Sequence, residues 1–398
     1  MKILQLLPKV PYPPADGHKK SMWGVIKHLS QRGHEIDIIA YSQNQDYKKD
    51  LIEINKHAKI YVIDIFNSNS IIGAIKNLFS GVPYNISKYK TKEYENFLTK
   101  HLAAKKYDII HVTNAHMGWT VDVIRRITNS PVVLREENFE LAIMERYYKN
   151  QQNPFLKKYA YMQYRKFLKY EPALCGKFDK CIMMSSEDRK RLLKFNPSAK
   201  TNVIPLGIDK ELLDIKKEKT ENFSLVHIGS LEWYPNYDGL KWFLTKVFPF
   251  IVEEFKETKL YLYGSGITKN FYFPDNIKDN IIVKGFISDI WNDVIEKSLA
   301  VVPLRIGSGI RVKILEMLAS GINVITTSLG KEGIPVEDSK ELIIAENEIE
   351  FREKIINYFN GKYYSKQMSE NGREMVRLNY LWENITDQFE ATYKDLLN

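Results

Sequence analysis

Residues Pro303 to Glu316 read PLRIGSGIRVKILE, and the periodicity changes on either side of a glycine pair. Ahead of the pair, Leu299 to Leu304 is a short valine-rich apolar run, the composition of a strand buried on both faces. Behind it, Ile310, Ile314 and Leu318 recur at helical spacing, and Leu315 and Met317 widen the apolar stripe. Between them stands Gly307-Ser308-Gly309, where small residues let an incoming group touch backbone. Ser308 is placed to cap the helix that follows. A strand, a glycine loop and a helix N-terminus make an anion site, because free N–H groups point outward and the dipole favours negative charge. Arg311 and Lys313 put two cations in the first turn, where they are unfavourable unless an anion compensates them. Lys313 and Glu316, three apart, share the polar face opposite the apolar stripe. A base beside a carboxylate suits a ligand with both phosphates and hydroxyls, which describes a nucleotide sugar. The plainer alternative is a solvated helix start with one surface ion pair. The loop is not a Walker A motif, because GxxxxGK[ST] is absent.

The same grammar runs through the rest of the chain. Lys2 to Leu7 reads as a buried strand, and Pro8 to Lys20 as a loop holding Asp16-Gly17. A helix over 21–32 follows, and then a strand at His34 to Tyr41. Further strands are predicted at 60–63, 108–113, 131–135, 180–184 and 203–205. The charged stretch Lys210 to Asn222 interrupts the pattern, which restarts with a strand at Phe223 to Ile228 and continues at 259–263, 280–284, 299–304, 322–327 and 342–345. Alternating strands and helices predict an α/β chain of doubly wound parallel sheets. The boundaries fall at 1–205 and 206–380, with 381–398 a C-terminal helix packing back on the first domain. Ligands are then expected at the carboxyl ends of the strands, in the cleft where the two domains face each other. No GxGxxG follows the first strand, which weighs against a nicotinamide-dependent oxidoreductase.

The totals set bounds. At 398 residues, 44% hydrophobic and 27% charged, the chain has the composition of a globular protein with real cores. Apolar runs are strand-length, so no membrane span is predicted. The N-terminus is too weakly apolar for a signal peptide. Cys175 and Cys181 alone make a disulfide framework or metal site improbable and fit a reducing cytoplasm. The net charge of +9 permits anionic ligands, an acidic membrane surface or nucleic acid, and identifies none of them.

Several stretches resemble the retaining glycosyltransferases of family 4, which have the GT-B fold of two Rossmann-like domains. They are HIGSLEWYPNYDG, LYLYGSG, VKGFISDI, PLRIGSGIRVKILEMLASG and VITTSLGKEGI, in family order from Val226 to Gly333. PVVLREENFE, YRKFLKYE and the linker VIPLGID look alike in the first half. The resemblance implies a nucleoside-diphosphate-sugar donor bound by the C-terminal domain and no other cofactor. Glu316 would match the glutamate that binds the ribose hydroxyls, and Arg311 and Lys313 the basic pair at the diphosphate. Gly285, Phe286 and Ile287 would border the base. Gly229 and Ser230, with Gly307, Ser308 and Gly309, would approach the phosphates or sugar, and Asp16 and Gly17 would lie in the loop closing over the transferred sugar. Two positions depart from the pattern. Ser308 stands where many members carry a glutamate near the sugar, and Glu137 where close relatives often carry histidine. A salt bridge to Arg135 is the structural alternative for Glu137.

The implied reaction moves a sugar to an acceptor hydroxyl with retention of configuration. No Asp-x-Asp occurs, so no metal is expected. The resemblance also implies work in capsule, exopolysaccharide or lipopolysaccharide synthesis, on a glycan or lipid-linked acceptor, without a nucleic-acid partner. A catalytically inactive protein of the same fold, binding sugar nucleotides or partners, is the alternative. On a helix over 154–171, Lys158, Arg165 and Lys169 form one stripe and Leu156, Ala160, Tyr164, Phe167 and Leu168 another. That pattern suits either a core-facing apolar side or peripheral contact with the inner membrane face. His111 is read as a structural loop histidine.

Overall fold

The computed structural model describes residues 1–43, 45–65, 70–267, 271, 273–287, 289–307 and 309–398. Its internal contacts divide the chain into two units, Met1–Gly207 with Glu383–Asn398, and Ile208–Trp382.

Unit 1 is built on β1 (Lys2–Leu7), β2 (Glu35–Ser42), β3 (Lys59–Asp64), β4 (Ile109–Thr113), β5 (Val132–Glu136), β6 (Lys180–Met183) and β7 (Thr201–Val203). These pair in parallel in the order β3-β2-β1-β4-β5-β6-β7. Its helices include α1 (Gly17–Gln31), α2 (Ile71–Asn77), α3 (Glu140–Asn150) and α4 (Pro154–Cys175). Ile3, Leu4, Leu6 and Leu7 of β1 are wholly buried, as a central strand covered on both faces requires. The strand order reverses beside β1, with β2 on one side and β4 on the other.

Unit 2 repeats the plan. Strands β8 (Glu221–Ile228), β9 (Lys259–Tyr263), β10 (Ile281–Gly285), β11 (Lys297–Val302), β12 (Asn323–Thr326) and β13 (Ile343–Ile344) lie parallel in the order β10-β9-β8-β11-β12-β13. Helix α5 (Tyr234–Lys246) follows β8, and α6 (Val312–Ser320) follows β11. The switch point here lies between β8 and β11.

Two local expectations change. Helix α6 starts at Val312, with Arg311 at the N-cap position and no side-chain cap. It therefore begins later than a Ser308 cap would place it, and Ile310 lies ahead of the helix. Ser308 itself falls outside the described residues. His111 sits within β4 rather than in a loop, fully buried, and its Nδ1 meets the Tyr393 hydroxyl at 2.5 Å.

That contact belongs to the last helix, α7 (Trp382–Leu397), which packs on unit 1 from Glu383 onward. Phe389 is buried, with the Arg135 guanidinium 4.8 Å from its ring centre. Glu390 pairs with His34 at 2.7 Å, and Asn202 donates to Thr392 at 2.8 Å. Tyr393→Phe should cost about 1–3 kcal/mol, because the buried His111 nitrogen loses its partner in a site that water does not reach. Urea denaturation followed by tryptophan fluorescence measures it, and an unchanged midpoint would show that the pair does not fasten α7.

Candidate functional site

In unit 2 the sequence-predicted residues gather at the carboxyl edge around the β8/β11 switch point. Lys313, partly buried in the first turn of α6, donates to the backbone oxygen of Ile228, the last residue of β8, at 2.8 Å. It also donates to the Asn236 side-chain oxygen at 2.9 Å, and Asn236 in turn donates to the Ser230 carbonyl at 2.9 Å. This close approach needs Gly229. Its φ is +157°, and a Cβ there would lie 2.6 Å from the Asn236 amide and 3.0 Å from the Lys313 nitrogen. Ser230 is held as well, since its hydroxyl accepts from Ser265 at 2.8 Å and from the Glu232 N–H at 3.2 Å.

The glycine loop after β11 completes the edge. Gly307 has φ +135°, and a Cβ on it would lie 2.7 Å from the Arg311 guanidinium. Arg311 is buried and donates to the Gly309 carbonyl at 2.9 Å. Two cations thus stand at the start of one helix, and Lys313 has no carboxylate partner among the described residues. Burial first, and then the Arg311 charge, pushes the Lys313 ammonium down to about 7. Glu316 is half-buried one turn along α6. Gly285 ends β10, two strands out from β8, and Phe286 and Ile287 follow it on the same carboxyl edge, with Phe286 62% exposed.

Unit 1 has its own cluster at the carboxyl edge. Asp16 caps α1 by accepting the Lys19 N–H at 2.8 Å, and its other oxygen pairs with Lys9 at 2.9 Å. Burial would raise this carboxyl, but Lys9 and the Lys19 N–H outweigh burial and hold it below its ordinary range. Gly17 opens α1. The next residue, His18, places Nε2 2.5 Å from Glu137 Oε2. Asn114 bridges the two, accepting the Glu137 N–H at 3.2 Å while its amide nitrogen meets the same imidazole. Asn114 holds φ +68°, outside the usual range for a non-glycine residue. The loop carrying Glu137 is pinned at its far end by buried Glu171, which accepts the N–H groups of Glu140 at 2.9 Å and Leu141 at 2.7 Å.

Arg135 is therefore not the partner of Glu137. Two residues apart on one strand they would share a face, but β5 ends at Glu136, and Arg135 reaches instead toward Ser21 and the Ile204 and Pro205 carbonyls. Sequence reading also passed over His18, Asn114 and Asn236. His18 adjoins the Asp16-Gly17 pair, and Asn236 follows the proline that opens α5 within YPNYDG. Those two positions were signals. Asn114 had none.

With this geometry in place, the relatives are informative. Residues 15–212 match the family model described as Glycosyltransferase Family 4, and residues 222–360 the one described as Glycosyl transferases group 1. Sucrose-phosphate synthase from Thermosynechococcus elongatus superposes with a TM-score of 0.76 at 15% identity, covering 100% of this chain and 99% of that one. TarM follows with a TM-score of 0.73 at 14% identity over 100% and 98%. Anabaena HepE, solved in complex with UDP-glucose, gives 0.69 at 15% identity over 99% and 100%. Among curated sequences, an uncharacterised 44.6 kDa protein of the cps region of Klebsiella pneumoniae is 23% identical over 413 residues, 99% of each chain. The solved structures share the GT-B fold of two doubly wound units, and the two family models make the chain a glycosyltransferase of that type. It belongs to family 4 taken broadly, with the two family models together spanning both units.

The depressed Lys313 gives a linkage with a definite sign. Its ammonium titrates near 7 in the free protein against an ordinary lysine value of 10.5, and a bound anion must raise it again. At pH values above 7, pyrophosphate or a nucleoside diphosphate should therefore bind with uptake of up to about one proton, and with much less uptake below pH 6. Calorimetry in buffers of different ionisation enthalpy reads this directly. Binding without proton uptake at pH 8 would separate Lys313 from the anion.

Proposed function

We propose that the chain transfers a sugar from a nucleoside diphosphate to an acceptor hydroxyl with retention of configuration, in the synthesis of a surface polysaccharide. The observation that carries this reading is the pair of cations at the N-terminus of α6, one of them held only by neutral oxygens at the end of β8. As the bond to the anomeric carbon breaks, charge gathers on the leaving diphosphate. Arg311, Lys313 and the helix-end N–H groups stabilise it there, doing the work a metal ion does elsewhere. The leaving phosphate oxygen accepts the proton of the attacking hydroxyl on the same face, which gives retention without a protein base. Glu316 holds the ribose hydroxyls, Gly285 to Ile287 flank the base, and Asp16, Gly17 and Glu137 serve the sugar.

The relatives supply the first ligands to try. HepE was solved with UDP-glucose, and S. aureus TarM with UDP and α-GlcNAc-glycerol. UDP sugars therefore head a donor panel scored by nucleotide release. The Klebsiella relative lies in a cps region, which favours capsule over lipopolysaccharide. A protein that binds donors yet releases no nucleotide with any acceptor would be the inactive alternative.

Glu316→Ala should weaken nucleoside diphosphate binding by about 10- to 100-fold, the cost of a lost carboxylate–hydroxyl hydrogen bond, and Glu316→Gln by less. Unchanged affinity in a folded Glu316→Ala protein removes the ribose role. Glu137 should set donor choice. Burial first, and then the Lys9 charge, pushes His18 down to about 3 and leaves it neutral, so an ionised Glu137 beside it would repel acidic sugars such as uronates. Glu137→His should broaden donor use. Efficient uronate transfer by the wild type, or identical donor profiles for the two proteins, would return Glu137 to a structural pairing with His18.

A further inference from the structure

Unit 2 holds a second gathering of cations, at the other end of α6 from Arg311 and Lys313. Helix α6 closes on Gly321, whose φ of +83° ends the last turn. Against α6 lies the helix Ser365–Asn379, which buries Met368, Gly372, Met375 and Val376. A Cβ on Gly372 would lie 2.9 Å from the Leu318 side chain, so the two helices approach closely. A second face of the same helix carries Lys366, Ser369, Glu370 and Arg373, spaced three and four apart. Together with Asp214, Ile215, Lys216 and Lys217, just ahead of β8, these residues line a cavity of about 590 Å³. That volume is in the usual range for a small-molecule site.

Arg373 anchors the cavity with one nitrogen and leaves the rest of its fork without a partner. Its Nη2 donates to the Ser320 carbonyl at 2.7 Å, capping α6, and to the Ile215 carbonyl at 2.9 Å. Gly321 is required there, since a Cβ on it would lie 2.5 Å from Arg373 Nε. That Nε is buried and has no hydrogen-bond partner. The charges around it are unpaired as well. Lys366 and Glu370 stand four apart yet form no ion pair, and Asp214, Lys216 and Lys217 form none among the described residues. Where pairing is the local solution the helix uses it, as Glu374 and Arg377 do at 2.6 Å. Lys217 donates only to the Lys297 carbonyl, at 3.3 Å, and burial lowers its ammonium. Four cations and two carboxylates thus share one cavity without a pair between them. The cations are donors only, and the guanidinium fork matches two oxygens of one phosphate. Asp214 and Glu370 can only accept, and so can Ser369, whose hydroxyl proton already goes to the Gly321 carbonyl at 2.7 Å. A ligand with a phosphate and several hydroxyls satisfies both sets.

We propose that this cavity binds the phosphate monoester of a small sugar, with the phosphate against Arg373 and the lysines and the hydroxyls against Asp214, Glu370 and Ser369. The site is independent of the transferase reading, because Arg311, Lys313 and Glu316 do not line it. Helix α6, nine residues and roughly 14 Å long, separates it from the cations at the carboxyl edge.

Calorimetric titration of the full chain with fructose 6-phosphate, and with fructose and inorganic phosphate as controls, tests it. The sugar phosphate should bind at least about tenfold more tightly than either control, and more weakly as salt rises. Lys216→Gln and Lys366→Gln should each weaken it about fivefold. Both lysines are exposed, so circular dichroism should be unchanged. Lys313→Gln, at the far end of α6, should bind the sugar phosphate as the wild type does. Absence of binding, equal affinity for inorganic phosphate, or full affinity in both the Lys216 and Lys366 variants overturns the proposal. Binding that only Lys313→Gln abolishes would overturn it too, and would give the sugar phosphate to the carboxyl edge.

Discussion

The Lys313 ammonium is held by two neutral oxygens, the last carbonyl of β8 and the side chain of Asn236, and the carboxyl edge of unit 2 is arranged around that constraint. A charge in this position is costly to keep dry, which is why burial lowers its pKa so far. Had a carboxylate been placed beside it, the pair would be settled and no ligand charge would be needed. Instead the neighbouring residue in charge is another cation, Arg311. Gly229 and Gly307 keep the backbone low enough for both side chains to lie against it. Lys313 is therefore left without a carboxylate among the described residues, and the diphosphate of the proposed donor would supply the missing charge.

Unit 1 shows the same strand order with a different edge. Where unit 2 collects cations, unit 1 sets carboxyls against partners: Asp16 against the Lys9 ammonium, and Glu137 against the imidazole of His18, which burial keeps neutral. Strand ends and helix starts provide the frame in both cases, and side chains decide the chemistry. Pinning matters more here than in unit 2. The Glu137 loop is fixed by Asn114 on one side and by the Glu171 cap of α3 on the other. A carboxyl in such a loop presents a set geometry to whatever approaches.

Much of this was legible in the sequence because it is periodic. All thirteen strands among the described residues were foreseen, since buried parallel strands are apolar runs bounded by turn residues, and such runs survive tertiary context. Boundaries shifted by a residue or two, and most at α6, where Ile310 continues the helical spacing but precedes the helix. What could not be read were contacts between residues distant in sequence. Asn236 lies 77 positions from Lys313, and the structural alternative for Glu137 named its neighbour Arg135 when the residue against it is His18. Sequence proximity favours Arg135, but β5 ends at Glu136, and Arg135 turns toward Ser21 and the Ile204 and Pro205 carbonyls. The resemblance implied roles for Arg311, Lys313 and Glu316. It offered nothing on the side chains that hold them.

The excess of positive charge also acquires a location. A net charge of +9 spread evenly would raise solubility and identify no ligand. In this fold part of it sits at the N-terminus of α6, where Arg311 is buried and Lys313 partly so. Another part lies on exposed side chains such as Lys157 and Lys158 of α4. Water screens the exposed lysines and lets them keep their charge, whereas burial makes the charge on Lys313 costly and lowers its pKa to about 7. One composition thus supplies both a sheltered pair of cations and a solvated face, and burial alone separates them.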